Sequence, residues 1–175
     1  MGKSAPTVQV GQAAPDFTAL DLEGKKVSLR NLISGSERNL LIFYRGGWCP
    51  FCNKQLASIS QDYEKFKELK TTIVAVSAEE VQKGRELLKG LNLPYFLLSD
   101  TEFDGIDRYG VRDMNPSEQT KAAGHGEGTL AKPAAFIIDG TGVIRYQYVG
   151  RNPSDRPKND ELLGRLREIK LRSQV

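Results

Sequence analysis

The chain of 175 residues contains two cysteines, Cys49 and Cys52, three apart in Trp48-Cys49-Pro50-Phe51-Cys52. A disulfide across that gap closes almost no loop, so it adds little to stability. Secreted disulfide scaffolds use more cysteines and spread them along the chain. Redox chemistry and metal binding are the remaining uses. A C-x-x-C is half of a zinc site, but such sites need four ligands. Here there are no further cysteines, and His125 is the only histidine. The residues therefore point to a redox dithiol, with no metal and no cofactor expected.

The flanking residues say how the pair is held. Residues 39–44 are a continuous apolar run of strand length, which suits a strand buried on both faces. Arg45-Gly46-Gly47 breaks it. From Pro50 the pattern turns helical, with Leu56, Ile59, Tyr63, Phe66 and Leu69 at spacings of three and four, which predicts a helix over 50–70. Pro50 suits the first helical position, where its missing N–H costs nothing. Cys49 then stands at or beside the N-cap, where unpaired N–H groups and the helix dipole favour a thiolate. Its pKa is expected below the free value of ~8.5. Cys52, one turn on, is placed to close a disulfide once Cys49 is captured, and burial is expected to keep it unreactive until then.

Neighbouring residues carry less definite readings. Trp48 either borders a substrate groove or packs over the helix start. Arg45 either stabilises a thiolate or peroxide oxygen or, as the spacing beside Gly46-Gly47 favours, points to solvent. His125 lies in a polar, glycine-rich stretch over 112–132, read as a long loop, where a solvated role is expected.

The rest of the chain reads as the frame. Residues 27–29 suggest a short strand, 71–77 and 94–98 two more, and 79–91 a helix with Val81, Leu87, Leu88 and Leu91 inward. Phe103, Ile106 and Tyr109 mark a short helix. Residues 134–138 and 143–149 read as a hairpin across Asp139-Gly-Thr-Gly142, and Leu162, Leu163, Leu166 and Ile169 as a closing helix. This order predicts a three-layer α/β domain over 1–175, with an N-terminal arm over 1–16 and a central mixed sheet flanked by helices. The first strands run parallel because long crossovers join them.

Composition excludes other classes. Net charge is +3, with basic and acidic residues interspersed, so nucleic acid is not an expected partner. The basic run Arg165, Arg167, Lys170 and Arg172 suits a helix end, where cations meet the negative pole of the dipole. No stretch reaches the ~18 apolar residues of a membrane span. Residues 1–12 lack the apolar core of a signal peptide, so a cytoplasmic location is expected.

Several segments resemble peroxiredoxins of the alkyl hydroperoxide reductase/thiol-specific antioxidant type: Gly11-Gln-Ala-Ala-Pro-Asp-Phe17, Leu97-Leu-Ser-Asp100, Tyr109-Gly-Val111 and Phe136-Ile-Ile-Asp139. With the strand order, the resemblance covers about residues 8–150 and implies a thioredoxin-like fold. The family's P-x-x-x-T-x-x-C places its peroxide-attacking cysteine on Cys52, its proline on Arg45 and its threonine on Cys49. The family's arginine falls on Pro133. The polarising threonine and arginine are thus absent from their positions. In their place stand a thioredoxin-like Trp-Cys-Pro-Phe-Cys and Pro133, the candidate for the cis-proline of a thioredoxin groove. The chain is similar to the peroxiredoxin-like subgroup bearing a C-x-x-C.

The two resemblances name different nucleophiles, Cys49 by thioredoxin and Cys52 by peroxiredoxin, and the helix-end argument favours Cys49. The expected function is a thiol-based antioxidant oxidoreductase acting on a disulfide through Cys49 and Cys52. A hydroperoxide reductase using the same pair is the alternative. A copper-handling protein that adds His125 to the two thiols is a third. Either redox reading requires an external thiol reductant, such as a thioredoxin or glutathione system.

Overall fold

The apolar run forms the central strand of the sheet. In the computed structural model, which describes residues 8–171, β3 (Arg38–Phe43) is buried along its whole length. It pairs in parallel with β4 (Thr71–Ser77), which pairs in parallel with β5 (Phe96–Ser99). On its other side β3 pairs antiparallel with β6 (Ala134–Asp139), and β6 with β7 (Ile144–Val149). The short strand expected over 27–29 is β2 (Lys26–Ser28); it pairs antiparallel with β1 (Thr18–Leu20), which the sequence reading did not separate and which joins antiparallel to β5. Among the described residues the order is β2-β1-β5-β4-β3-β6-β7. The expected arm over 1–16 falls partly outside the described residues, as does Arg172. Gly11 and Ala14 hydrogen-bond the β6–β7 hairpin.

Alternation along β3 divides the core. Leu40, Ile42 and Tyr44 face α2 (Pro50–Gln61), α3 (Tyr63–Glu68), α4 (Val81–Leu91) and α7 (Asn159–Arg167). Leu41 and Phe43 face Phe17, Leu29 at the start of α1 (Leu29–Leu32), and Ile106 in α5 (Asp104–Arg108). This is the expected three-layer arrangement. Each fully buried large side chain, such as Leu56 or Phe66, contributes about 1.5–3 kcal/mol through burial.

The helix expected over 50–70 is broken. Asp62, at φ −94° and ψ 12°, ends α2, and α3 restarts behind it. Asn159 of α7 explains the break: its amide donates to the Ser58 carbonyl (3.1 Å) and to the Asp62 carboxylate (2.9 Å). These two bonds tie the end of α2 to the start of α7. The stretch over 112–132 is also more ordered than a loop. It contains α6 (Glu118–Ala122), whose N-cap Ser117 accepts from the Thr120 N–H.

Candidate active site at the start of helix α2

Strand β3 ends at Phe43, and Tyr44-Arg45-Gly46-Gly47-Trp48 carries the chain over the sheet edge to Cys49. Cys49 is the N-cap of α2, with extended φ −89° and ψ 116°, and Pro50 takes the first turn as expected. Gly46 is required there, because a Cβ on it would collide with the Trp48 indole. Gly47 is held at both ends: its N–H donates to Glu79 Oε1 (2.6 Å) and its carbonyl accepts from Asn53 Nδ2 (2.9 Å).

Both cysteines are free thiols and both are fully buried. Their surroundings separate them. The Cys49 thiol is held well below its ordinary pKa, first by the Cys52 S–H donating to it, then by the Cys52 N–H and the Arg45 guanidinium, against the opposing effect of burial. The Cys49 sulfur makes no side-chain capping bond of strict geometry. The helix end therefore contributes less than the sequence suggested, and the neighbouring thiol contributes more. Cys52 is pushed far up, by burial first and by its bond to Cys49 second, with Arg156 opposing. The two shifts are opposite, so Cys49 is the thiol that ionises more readily of the pair.

Arg45 is a correction to the sequence reading. It does not point to solvent but is buried, with 6% of its surface exposed. Its Nη1 lies 3.5 Å from Cys49 Sγ, its Nη2 donates to Thr120 Oγ1 (2.7 Å), and its backbone N–H lies 3.3 Å from Cys52 Sγ. Its guanidinium carbon lies 4.9 Å from the centre of the Trp48 ring. One residue thereby addresses both sulfurs, the side chain one and the main chain the other.

His125 is a second correction. Rather than standing free in a loop, its ring stacks on Trp48 at 3.8 Å between centroids and 11° between planes. With the Thr120–Arg45 bond, this stack lays the segment carrying α6 against the dithiol. Trp48 thus both packs and borders a groove. A cavity of about 640 Å³ runs past Gly47, Trp48, Glu79, Leu87 and His125. Among the described residues no three His, Cys, Asp or Glu side chains lie together as a metal site would need, and the Trp48 stack is the ring contact that His125 makes.

Pro133 is a third correction. The peptide bond before it is trans. It lies buried at the head of β6, its carbonyl accepting from the Gly150 N–H (2.8 Å), and with Arg45 it lines a separate cavity of about 350 Å³.

Two groups near the sulfurs escaped the sequence reading. Thr120 sits in the stretch taken for loop. Arg156 lies between β7 and α7, and its Nη2 comes within 3.0 Å of Cys52 Sγ. Each is distant in sequence from the C-x-x-C, and no periodic pattern marks either one.

Known proteins resemble the chain over most of its length. Peroxiredoxin Q, chloroplastic, of Oryza sativa subsp. japonica is 30% identical over 141 residues, covering 81% of this chain and 59% of the relative. This chain thus spans about three fifths of that relative's length. Thiol-disulfide oxidoreductase ResA of Bacillus anthracis is 26% identical over 150 residues, covering 85% of this chain and 75% of the relative. Among solved structures, peroxidoxin BcpB from Mycobacterium tuberculosis superposes with a TM-score of 0.75 at 22% identity, covering 93% of this chain and 98% of that one, which shows a shared fold. The AhpC/TSA family profile matches residues 10–147, and the chain belongs to the AhpC/TSA family.

Proposed function

We propose that the chain is a thiol-based antioxidant oxidoreductase that reduces a disulfide by cycling Cys49 and Cys52 between dithiol and disulfide. The observation carrying this reading is the asymmetric surroundings of the pair: Arg45 Nη1 lies 3.5 Å from Cys49 Sγ and, with Cys52, holds the Cys49 thiol low, while burial pushes Cys52 up. A thiolate is the attacking species in exchange. Cys49 attacks one sulfur of the substrate R–S–S–R′. A Cys49–S–S–R bond forms, and R′S⁻ leaves and takes a proton. Cys52 then attacks Cys49 Sγ, the internal disulfide forms, and the second half departs as RSH with the proton from Cys52. An external thiol reductant, of the thioredoxin or glutathione kind, supplies two electrons and two protons to reset the pair. That demand fits the expected cytoplasmic location. Among the described residues no helix is long and apolar enough to cross a membrane. Trp48, Arg45, Pro50 and Pro133 serve as supporting residues: Trp48 borders the groove, Arg45 stabilises the thiolate, Pro50 starts the helix and Pro133 lines the cavity beside Arg45.

One observation favours a hydroperoxide as a second substrate class. The guanidinium and hydroxyl groups missing from the family's positions are supplied from elsewhere, by Arg45, Arg156 and Thr120. Cys49 would then attack the peroxide, ROH would leave, and Cys52 would displace water from the resulting sulfenic acid.

Rapid mixing of the reduced protein with hydrogen peroxide, followed by Trp48 fluorescence, separates the two. A rate far above that of a free thiol at the same pH makes peroxide the substrate. A rate no better than a free thiol, with rapid reaction toward disulfides, assigns disulfide exchange. Slow reaction with both overturns the proposal.

A further inference from the structure

Arg156 is placed like a working group rather than a structural one. Its Nε donates to the Pro153 carbonyl (2.8 Å) and its Nη1 to Gln55 Oε1 (2.5 Å), which leaves Nη2 on Cys52 Sγ at 3.0 Å. Gln55 stands three residues beyond Cys52 on α2, so the helix that carries the sulfur also steers the cation onto it. Among the described residues no carboxylate pairs with Arg156. A half-buried guanidinium with no carboxylate leaves its charge available to the sulfur it faces.

We propose that Arg156 is a catalytic residue for the second step alone, stabilising the Cys52 thiolate as it attacks the Cys49 mixed disulfide. This rests on the dithiol cycle proposed above. The order of events follows from the groups that face Cys52. These are the Cys49 thiolate at the N-cap of the same helix, the Arg45 main-chain N–H, the Tyr44 phenol just beyond the end of β3, and Arg156. In the resting pair burial first and the bond to Cys49 second hold the proton on Cys52, against Arg156. Once Cys49 is bound covalently it is neutral, and it neither repels a second thiolate nor accepts its proton. Arg156 stays in place and, among the described residues, is then the guanidinium that faces the sulfur. The first step thus removes one of the two causes that hold the proton on Cys52, and Arg156, at 3.0 Å, is placed to offset the other, burial, so that ionisation of Cys52 becomes easier after the first step than before it. Its electron pair forms the S–S bond to Cys49, the bond from Cys49 to the substrate sulfur breaks, and the departing thiolate takes up the proton.

The test is single-turnover reaction of the reduced protein with 4,4′-dithiodipyridine, which releases one thiopyridone when Cys49 is captured and a second when Cys52 closes the ring. In Arg156→Met the first phase is expected within about twofold of wild type. The second is expected to slow about tenfold or more, because removing a cation at contact distance raises a thiol's pKa by a unit or more. Its pH midpoint should rise, the Cys49 adduct should accumulate by mass spectrometry, and Arg156→Lys should restore part of the rate. Gln55→Ala, which keeps the cation but frees it, should slow the same phase less, and it decides the matter if Arg156→Met does not fold. A second phase with wild-type rate and pH profile in Arg156→Met, or in Gln55→Ala in that case, overturns the proposal. Release of a single thiopyridone by wild type would instead remove the dithiol cycle, and this role with it.

Discussion

Strand β3 has a buried arginine near each end, and the two are used in opposite ways. At its start Arg38 is 7% exposed, and its guanidinium donates to three acceptor contacts on main-chain carbonyls: Nε and Nη2 to Ile169 (3.1 and 2.6 Å) and Nη1 to Leu69 (3.2 Å). It clamps the ends of α3 and α7 to the sheet. Just beyond the end of β3, Arg45 is buried equally well, but its guanidinium meets a sulfur and a hydroxyl. Carbonyls that close helices make a cation a fastener. A thiol that exchanges its proton makes it a control on charge. Burial alone does not distinguish a structural arginine from a functional one; the chemistry of its acceptors does.

The largest effect that would break this contrast is at the sulfurs. Cys49→Ser should abolish turnover with any disulfide or peroxide. Cys52→Ser should still form one mixed disulfide, detectable by mass spectrometry as a single adduct. Capture by Cys49→Ser and none by Cys52→Ser would reverse the assignment of nucleophile.

The arginines come next. Arg38→Ala should lower the unfolding free energy by about 1.5–3 kcal/mol, the worth of hydrogen bonds from a charged donor, while leaving Cys49 alkylation unchanged. Arg45→Met should do the reverse, with a small loss on chemical denaturation and a clear loss of Cys49 reactivity near neutral pH. Equal stability losses in the two variants would erase the distinction.

The pH dependence sharpens it. Cys49 has a depressed pKa in the folded protein, so alkylation by iodoacetamide in Cys52-intact protein should hold its rate well below the ~8.5 midpoint of a free thiol. Arg45→Met should move that midpoint upward. The sign for stability follows by linkage. Between the folded Cys49 pKa and ~8.5 the unfolded chain binds more protons, so the dithiol adds stability as pH rises. Above ~8.5 the unfolded chain loses the second proton that folded Cys52 retains, and the contribution declines. Denaturation midpoints across this range, compared with those of the Cys49→Ser/Cys52→Ser double variant, should show the rise and the fall.

The smallest effect concerns access. Cys49 is fully buried, and the segment carrying Thr120 and His125 lies on its neighbours Arg45 and Trp48, so a reagent is expected to reach the sulfur when that segment moves aside. Thr120→Val removes the bonds of Thr120 Oγ1 to Arg45 and to Ser117 Oγ. The one that ties the segment to Arg45 has a charged donor and is worth about 1.5 kcal/mol or more, which corresponds to about a tenfold gain in the open population. Alkylation by a neutral reagent should speed up by a comparable factor, measured at a pH where Cys49 is fully ionised. An unchanged rate would mean that access runs by another path.

Local pattern in the chain was enough to set the frame and to place the cysteine pair proposed as reactive at a strand-to-helix junction. Apolar runs over 39–44, 71–77 and 134–138 have one burial pattern open to them, and the lone C-x-x-C at a strand-to-helix junction has few other uses. Both signals are carried by residues adjacent in the chain. The tertiary structure decided what surrounds the sulfurs. Arg45 turned inward because Thr120 and Cys49 give its donors acceptors there, and the ring of His125 found the face of Trp48. Arg156 reached Cys52 because α7 packs on α2 through Asn159 and brings the preceding loop with it. Such contacts join residues up to 104 positions apart by side-chain geometry alone, so no spacing in the chain records them.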